Sequence, residues 1–200
     1  GPIRDATLRL WVRADAGLGT TSGSYLPVWT DLSGASNHLI QPNGAALPMH
    51  VPEAAHGLPA LRFDGSSDYF RFTTPMTDVR TVFIVASESS LASGSYRYLL
   101  GDTVSSYPFA SGAATLWEPA NTALAVRQGD TYIDGAPVDG TQTARPRKLS
   151  VISVVTTANV PARLLGSYNG DLQFWQGDVS EVLIYNRALT PPERRAVEAY

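Results

Sequence analysis

The segment that most constrains the fold lies just before the C-terminus, where apolar residues occupy both parities of a β-strand. Residues 178–186 read DVSEVLIYN, with Val182 and Ile184 on one parity and Leu183 and Tyr185 on the other. A strand buried on one face alternates apolar and polar residues, whereas this strand has apolar groups on both faces. The pattern therefore predicts a central strand in a sheet that is covered on each side.

A helix is predicted directly after this strand. Residues 190–193 read TPPE, which combines a capping box with proline at the first helical position. Ala196, Val197 and Tyr200 are spaced to form an apolar stripe on one side of that helix. We expect the stripe to pack on the sheet and the helix to run to the end of the chain.

The rest of the chain reads as strands joined by turns. Residues 80–88 (RTVFIVASE) and 148–156 (KLSVISVVT) are continuously apolar and are predicted as central strands, and residues 124–128 as a further short strand. Turn signals from 17 Gly and 14 Pro recur along the chain, at the spacing of roughly 8–12 residues that is typical of sandwiches. We predict one all-β sandwich of about a dozen strands with one C-terminal helix.

Composition excludes several classes of protein. The net charge is −3 and the chain has no basic run, which argues against nucleic acid as a partner. No apolar stretch approaches the roughly 20 residues that span a bilayer. The absence of cysteine excludes disulfides and thiolate metal sites. Gly1-Pro2 looks like the remnant of a cleaved tag, so the predicted single domain covers residues 3–200.

Three blocks of sequence resemble a known family. They are residues 10–15 (LWVRAD) with 29–34 (WTDLSG), residues 59–65 (PALRFDG), and residues 177–200. The chain resembles laminin-G-like domains of the concanavalin-A-like lectin/glucanase superfamily, in the form common in bacterial surface and secreted proteins. The resemblance implies a two-sheet antiparallel jelly roll, an extracellular or cell-surface location, and a place in a larger multidomain protein such as an adhesin or pilus tip.

The sequence shows no recognisable catalytic pattern. Retaining glycosidases use two carboxylates about 5–5.5 Å apart, which on one strand means acids two positions apart. Asp178 and Glu181 are three apart and so face opposite ways. The three histidines, His38, His50 and His56, fall in loop-rich sequence, and the chain has no Gly-x-Ser-x-Gly elbow. From these patterns we predict that the chain is not an enzyme.

Candidate ligand-binding residues lie in the Gly/Ser-rich middle of the chain, residues 89–135. We select Trp117, Glu118, Tyr107 and Tyr132, because aromatic faces stack on sugar rings and polar side chains hydrogen-bond sugar hydroxyls. Trp117 and Glu118 precede a proline, which suggests an exposed tryptophan on a stiff loop. The alternative is that these aromatic residues belong to the core.

Calcium is the cofactor that the resemblance implies, bound at one rim of the sandwich. Asp102 and Asp171 are the candidate metal ligands, because each occupies a loop and Ca²⁺ takes 6–8 oxygen ligands. Asp64 and Asp68 in FDGSSD form another oxygen-rich loop. The alternative for every one of these residues is an aspartate that caps a turn.

The predicted function is a non-catalytic, lectin-like recognition or adhesion module. Rim loops would bind a glycan or a cell-surface glycoconjugate, with calcium assisting. The alternative is a protein–protein adhesion domain or a structural spacer without a sugar site. Clustered, exposed aromatic residues would favour the first function, and buried or scattered ones the second.

Overall fold

The computed structural model describes residues 1–19, 23–55, 57–104 and 107–200. Over these residues the chain forms twelve strands and two helices. The strands are β1 (Leu8–Arg13), β2 (Val28–Trp29), β3 (Leu39–Ile40), β4 (Met49–Ala55), β5 (Leu58–Asp64), β6 (Phe70–Glu88), β7 (Arg97–Gly101), β8 (Phe109–Ser111), β9 (Asp130–Ile133), β10 (Ala136–Val138), β11 (Ser150–Leu165) and β12 (Gln176–Tyr185). The helices are α1 (Leu124–Arg127) and α2 (Pro191–Glu198). Neighbouring strands pair antiparallel, which confirms the predicted all-β class.

Hydrogen bonds join the strands into one network that folds into two layers, because the long strands β6 and β11 take part in both. The first layer has the order β10-β9-β11-β6-β12-β5-β4, and β1 continues the edge of β12 beyond β5. The second layer has the order β2-β3-β6-β11-β7-β8. Leu10 and Val182 of the first layer share one core cluster with Leu39 and Phe109 of the second. The predicted sandwich therefore forms, with its two sheets joined by shared strands.

The closing strand is covered on both faces, as its pattern predicts. Val182 and Ile184 of β12 belong to the main core between the layers. Leu183 and Tyr185 belong to a second cluster that includes Val197 of α2. The helix therefore packs on the outer face of the first layer.

The predicted capping box begins α2. The backbone N–H and hydroxyl of Thr190 donate to the Glu193 carboxylate at 2.8 and 2.9 Å. The guanidinium of Arg187 donates to both oxygens of the same carboxylate, each at 2.9 Å. The helix ends at Glu198, two residues before the predicted end.

The Trp-Thr-Asp-Leu-Ser-Gly block forms a turn organised by Asp31. Its carboxylate accepts the backbone N–H groups of Trp11, Ser33 and Asn37, each at 2.9 Å. The side-chain oxygen of Asn37 accepts the N–H of Thr74 at 2.7 Å. The turn joins β1 to the start of β6, so these polar residues belong to the scaffold.

Two local predictions are wrong. Residues 124–128 form the single turn of α1 instead of a strand, because Arg127 donates to the carbonyls of Pro119 and Thr122 and so holds the segment in a turn. The sequence around His50, expected to be loop-rich, contains β4, which pairs with β5 from Met49 onward. Both elements depend on partners outside their own sequence window.

Candidate functional site

A cleft of about 650 Å³ opens over the ends of β5 and β6 and the start of β12. These three strand segments are neighbours in the first layer. The side chains that line the cleft include Tyr25, Arg62, Glu88, Arg147, Gln176 and Asp178. Its volume lies within the range of about 300–1,000 Å³ that is typical of small-molecule sites.

The cleft combines an exposed aromatic ring with a fixed polar pair. The side chain of Tyr25 is 61% exposed, and its backbone is held by a β-bridge to Met49. Arg62 of β5 lies opposite Asp178 of β12, and its Nε and Nη2 atoms donate to the two carboxylate oxygens at 2.8 and 2.9 Å. A bidentate pair fixes the plane of both groups. The cleft therefore presents preoriented hydrogen-bonding groups together with an aromatic face.

One side of the cleft is built on a buried carboxylate surrounded by arginines. Glu88, at the end of β6, is 4% exposed. The Nε and Nη2 atoms of Arg145 each lie 2.7 Å from its Oε1, and the Nε atoms of Arg97 and Arg147 lie 3.6 and 3.7 Å from its oxygens. Arg97 also donates to the side-chain oxygen of Gln176 at 2.9 Å. This cluster fixes the ends of β6, β7 and β12 around the cleft.

The FDGSSD loop at the rim is a turn capped by its own carboxylates. Burial opposes ionisation of Asp64, yet hydrogen bonds from Ser66, Ser67 and Asp68 outweigh it and lower the pKa of Asp64 to about 2. Burial and the neighbouring charge of Asp64 raise the pKa of Asp68 to about 7. Asp68 in turn accepts the backbone N–H of Asp64 at 2.9 Å. Asp64 and Asp68 therefore cap their own turn, which is the alternative to a calcium site given above for these two residues.

The pKa of Asp68 predicts a pH-dependent stability. Because its folded pKa is above the ordinary 3.8, its contribution to stability is complete at acid pH and is lost as the pH rises through about 7. In an Asp68→Asn variant the side chain is neutral throughout. We expect the stability of the wild type relative to this variant to fall between about pH 4 and pH 7 in urea titrations and to stay level above that range. Parallel pH profiles for the two proteins would contradict the assignment.

Tyr107 lies outside the cleft, in a stack of three tyrosine rings. Its ring is stacked on that of Tyr168 with a centroid distance of 5.2 Å and an interplanar angle of 13°. Tyr168 in turn packs on Tyr98 at 5.1 Å and 38°. Tyr107 is at one end of the stack, has a φ of 57° and is 37% exposed. The Tyr107 ring is therefore partly exposed at the end of the stack.

The expectation that Trp117 is exposed is wrong. The indole is 2% exposed, packs against Phe109 in the core and donates its N–H to the Thr131 hydroxyl at 2.9 Å. Glu118 is also buried, and its carboxylate accepts the backbone N–H groups of Ala120 and Asn121. The Thr131 hydroxyl accepts the only polar hydrogen of the indole, so the ring can be buried without an unpaired donor. Trp117 is therefore a core residue, which is the alternative given for it above.

Tyr132 and Thr131 are neighbours in β9, so their side chains lie on opposite faces of the strand. Trp117 donates to Thr131 and therefore lies on the other face from Tyr132. The guanidinium of Arg194 lies 3.5 Å from the centroid of the Tyr132 ring. Arg194 is 4% exposed and pairs with Glu198. Tyr132 therefore helps to attach α2 to the sheet, and the structure does not bring it together with Tyr107 or Trp117.

The candidate calcium ligands do not fit a calcium site. Asp102 is 2% exposed, with its Oδ1 atom 2.6 Å from Nε of Arg163, and that positive charge opposes a divalent cation. Asp171 lies in a separate turn, where its N–H donates to the side chain of Asn169. Within the described ranges, no cluster of three or more His, Cys, Asp or Glu residues has the arrangement of a metal site.

The histidines have structural surroundings where they are described. His38 accepts the backbone N–H of Asp31 through Nδ1 at 3.1 Å, and Nε2 of His50 lies 3.1 Å from the carbonyl oxygen of Ala14. His56 lies outside the described residues. The two described histidines are therefore part of the scaffold contacts around β1 and β3.

Sequence reasoning named Asp64, Asp68 and Asp178 in other roles but missed Tyr25, Arg62 and Arg147 as lining residues of one cleft. Arg62 and Asp178 are far apart in sequence and meet only through the register of β5 and β12. One signal was available for Tyr25, which follows the Gly/Ser/Thr-rich stretch 16–24 and precedes Pro27. The criterion that selected Tyr107, an aromatic residue beside a small-residue loop, applies equally to Tyr25.

Comparison with known proteins identifies structural neighbours only. No protein-family model and no curated protein matches the sequence. The chain is similar to the solved structure of Trypanosoma rangeli sialidase, with 17% identity and a TM-score of 0.56. It is also similar to that sialidase in complex with sialic acid (17% identity, TM-score 0.55) and with the inhibitor DANA (16%, 0.55). Each match covers 97% of this chain and 33% of the sialidase, so the chain spans about a third of their length.

These neighbours correct one prediction. Sialidases are enzymes, so the prediction that the chain is not an enzyme is contradicted by the structures that it matches. That prediction relied on the spacing of acids along single strands. Spacing cannot reveal acids brought together from different strands, such as Asp64 of β5 and Asp178 of β12, which both line the cleft. At 16–17% identity the likeness itself shows the fold.

Proposed function

We propose that this domain recognises carbohydrate and that the cleft over β5, β6 and β12 is its binding site. The observation that carries the proposal is the exposed ring of Tyr25 in the same cleft as the bidentate Arg62–Asp178 pair. Sugar rings stack on aromatic faces, and their hydroxyls need donors and acceptors held in fixed planes. The amide of Gln176, held by Arg97, adds a further planar group.

We also propose what kind of protein contains this domain. The domain is a laminin-G-like recognition or adhesion module of a larger extracellular or cell-surface protein, and that larger protein acts on glycans. The likeness to sialidases, one of them solved with sialic acid, and the third of their length that the chain covers support this setting. A cysteine-free fold is compatible with an oxidising compartment. Among the described residues, no helix has the length and apolar character to cross a membrane.

A protein-binding surface is the second candidate, favoured by the rim around Tyr107. Val104, Leu124 and Leu172 are 77%, 55% and 57% exposed. Leu124 and Leu172 lie near the tyrosine stack. The backbone N–H of Ala123, the neighbour of Leu124, donates to the carbonyl of Tyr107, and the backbone N–H of Tyr168 donates to the carbonyl of Leu172. Clustered exposed apolar side chains often mark protein–protein contact sites.

Replacing Tyr25 with alanine is expected to weaken oligosaccharide binding about tenfold, equivalent to about 1.4 kcal/mol. The reason is the loss of the exposed aromatic face that Tyr25 contributes to the cleft. A glycan array identifies the oligosaccharide that binds best, and calorimetric titration then measures its affinity for each variant. Tyr96→Ala is the matched control, because Tyr96 is 45% exposed and is outside the cleft lining.

The outcomes distinguish the two candidate surfaces. Weakening by Tyr25→Ala alone supports the cleft. Weakening by Tyr107→Ala with no effect of Tyr25→Ala would move the sugar site to the tyrosine stack. A protein that binds no oligosaccharide on the array would refute carbohydrate recognition and leave the rim around Tyr107 as a protein contact.

A further inference from the structure

The charges that the cleft exposes are mainly positive. The side chains of Arg62 and Arg147 are 48% and 55% exposed, and Lys148 is also exposed. Arg147 is held in place by the carbonyls of Ser90 and Ala92 at 3.2 and 3.3 Å. The side chain of Lys148 has no hydrogen bond or ion pair within the part of the chain that the structure describes. An unpaired ammonium and an anchored guanidinium are therefore available to a ligand.

The buried wall of the cleft adds to this positive charge. Glu88 supplies one negative charge to Arg97, Arg145 and Arg147, whose nearest nitrogens all lie within 4 Å of it. Arginine stays protonated in proteins, so this cluster carries an excess of positive charge. Arg97 and Arg145 are 6% and 4% exposed. Solvent and salt screen buried charges less than exposed ones, so their field extends into the cleft.

The acidic residues of the cleft are less available to a ligand. Asp178 is 13% exposed in its side chain, and both its oxygens are taken by Arg62. Asp68 is 7% exposed, and its raised pKa keeps much of it protonated near neutral pH. Asp64 is exposed and ionised, but its oxygens accept hydrogen bonds from Ser66, Ser67 and Asp68. The local balance is positive, although the whole chain carries a net charge of −3.

We infer that the cleft selects oligosaccharides that carry carboxylate or sulfate groups. The acidic groups would meet Arg147 and Lys148 while a sugar ring lies against Tyr25. This inference rests on the carbohydrate site proposed for the cleft. A negatively charged chain with a local cationic cleft suits a short acidic glycan better than a long polyanion, which the remaining surface would repel.

The test compares matched oligosaccharides on the full chain. An array presents each neutral oligosaccharide beside forms of the same backbone that carry uronate or sulfate groups, and calorimetry gives the affinities of the best set. We expect the acidic form to bind at least about tenfold more tightly than the neutral form in about 50 mM sodium chloride, and the difference to shrink in about 500 mM. Uronate and sulfate binding equally would indicate recognition of charge, and a uronate preference would indicate the planar carboxylate.

Charge-removing variants locate the effect. Lys148→Gln and Arg147→Gln are each expected to reduce the acidic-over-neutral ratio of affinities about three- to tenfold, because the acidic form loses more affinity than the neutral form. Lys148→Gln removes no hydrogen bond or ion pair within the described residues, so it isolates the charge. Arg195→Gln, on the exposed side of α2, removes one positive charge outside the cleft and is the matched control.

Three results would contradict the inference, and they differ in what they say about the carbohydrate site. Equal affinity for acidic and neutral forms, with binding still dependent on Tyr25, would refute the acidic preference and leave the carbohydrate site standing. An acidic preference that survives both Lys148→Gln and Arg147→Gln would place the selectivity outside the cleft. Absence of binding to every oligosaccharide would refute the proposed function together with the inference.

Discussion

Replacing Glu88 with alanine is expected to lower the free energy of unfolding by about 3–5 kcal/mol. The variant leaves two buried guanidinium groups, those of Arg97 and Arg145, without their shared carboxylate. Carbonyl oxygens still accept from Arg145, including that of Ala113 at 3.1 Å, but they supply no negative charge. Urea unfolding followed by tryptophan fluorescence measures the loss.

The Arg62–Asp178 pair provides the control for the Glu88→Ala measurement. Asp178→Ala removes the carboxylate bound to Arg62, whose side chain is 48% exposed. Solvent hydrates the released guanidinium, so we expect a loss of only about 0.2–1 kcal/mol. Glu88→Gln keeps the shape and one acceptor, and its effect should lie between the two. Similar losses for Glu88→Ala and Asp178→Ala would show that the Glu88 cluster contributes no more than a surface pair.

Replacing Trp117 with alanine is expected to lower the free energy of unfolding by about 3–5 kcal/mol. The indole fills the core beside Phe109, and its loss leaves a cavity and an unpaired Thr131 hydroxyl. Gly140 packs directly on the ring, since a Cβ built there would lie 2.1 Å from Trp117 Cδ1. Thermal and urea unfolding measure the change.

Sugar binding separates a core role for Trp117 from a ligand role. Trp117→Ala should bind oligosaccharide with wild-type affinity under conditions in which it stays folded. Tyr107→Ala, which removes a 37% exposed ring, should cost less than about 1 kcal/mol of stability. A stable Trp117→Ala protein with lost binding would instead return Trp117 to the ligand site.

Local sequence was sufficient for elements whose partners lie within a few residues. The capping box at Thr190 formed as predicted, and the Asp31 turn has the same kind of local cause, because each places a polar side chain next to backbone N–H groups close in the chain. The two-sided burial of β12 also follows from local pattern, since side chains alternate along any strand. Residues 80–88 and 148–156 were recognised as central strands for the same reason.

Long-range pairing decided what local pattern could not. The predicted strand at 80–88 is the second half of β6, whose first half pairs with β3, and this continuity connects the two layers. Periodicity over a few residues cannot show which distant strand a segment pairs with. The error at residues 124–128 is of another kind, because Arg127 is bound by the carbonyls of Thr122 and Pro119, which are close in the chain, and a short apolar window does not separate a helix from a strand.

The sequence by itself determined an all-β sandwich with a helix on its outer face, because apolar periodicity and capping chemistry act over a few residues. Only the tertiary structure decided which polar and aromatic side chains share a site. Arg62 meets Asp178 through strand register, and Glu88 meets Arg145 where β6 ends. The same packing buried Trp117 and left Tyr25 exposed. Burial depends on the elements that cover a residue, and those elements come from distant parts of the chain.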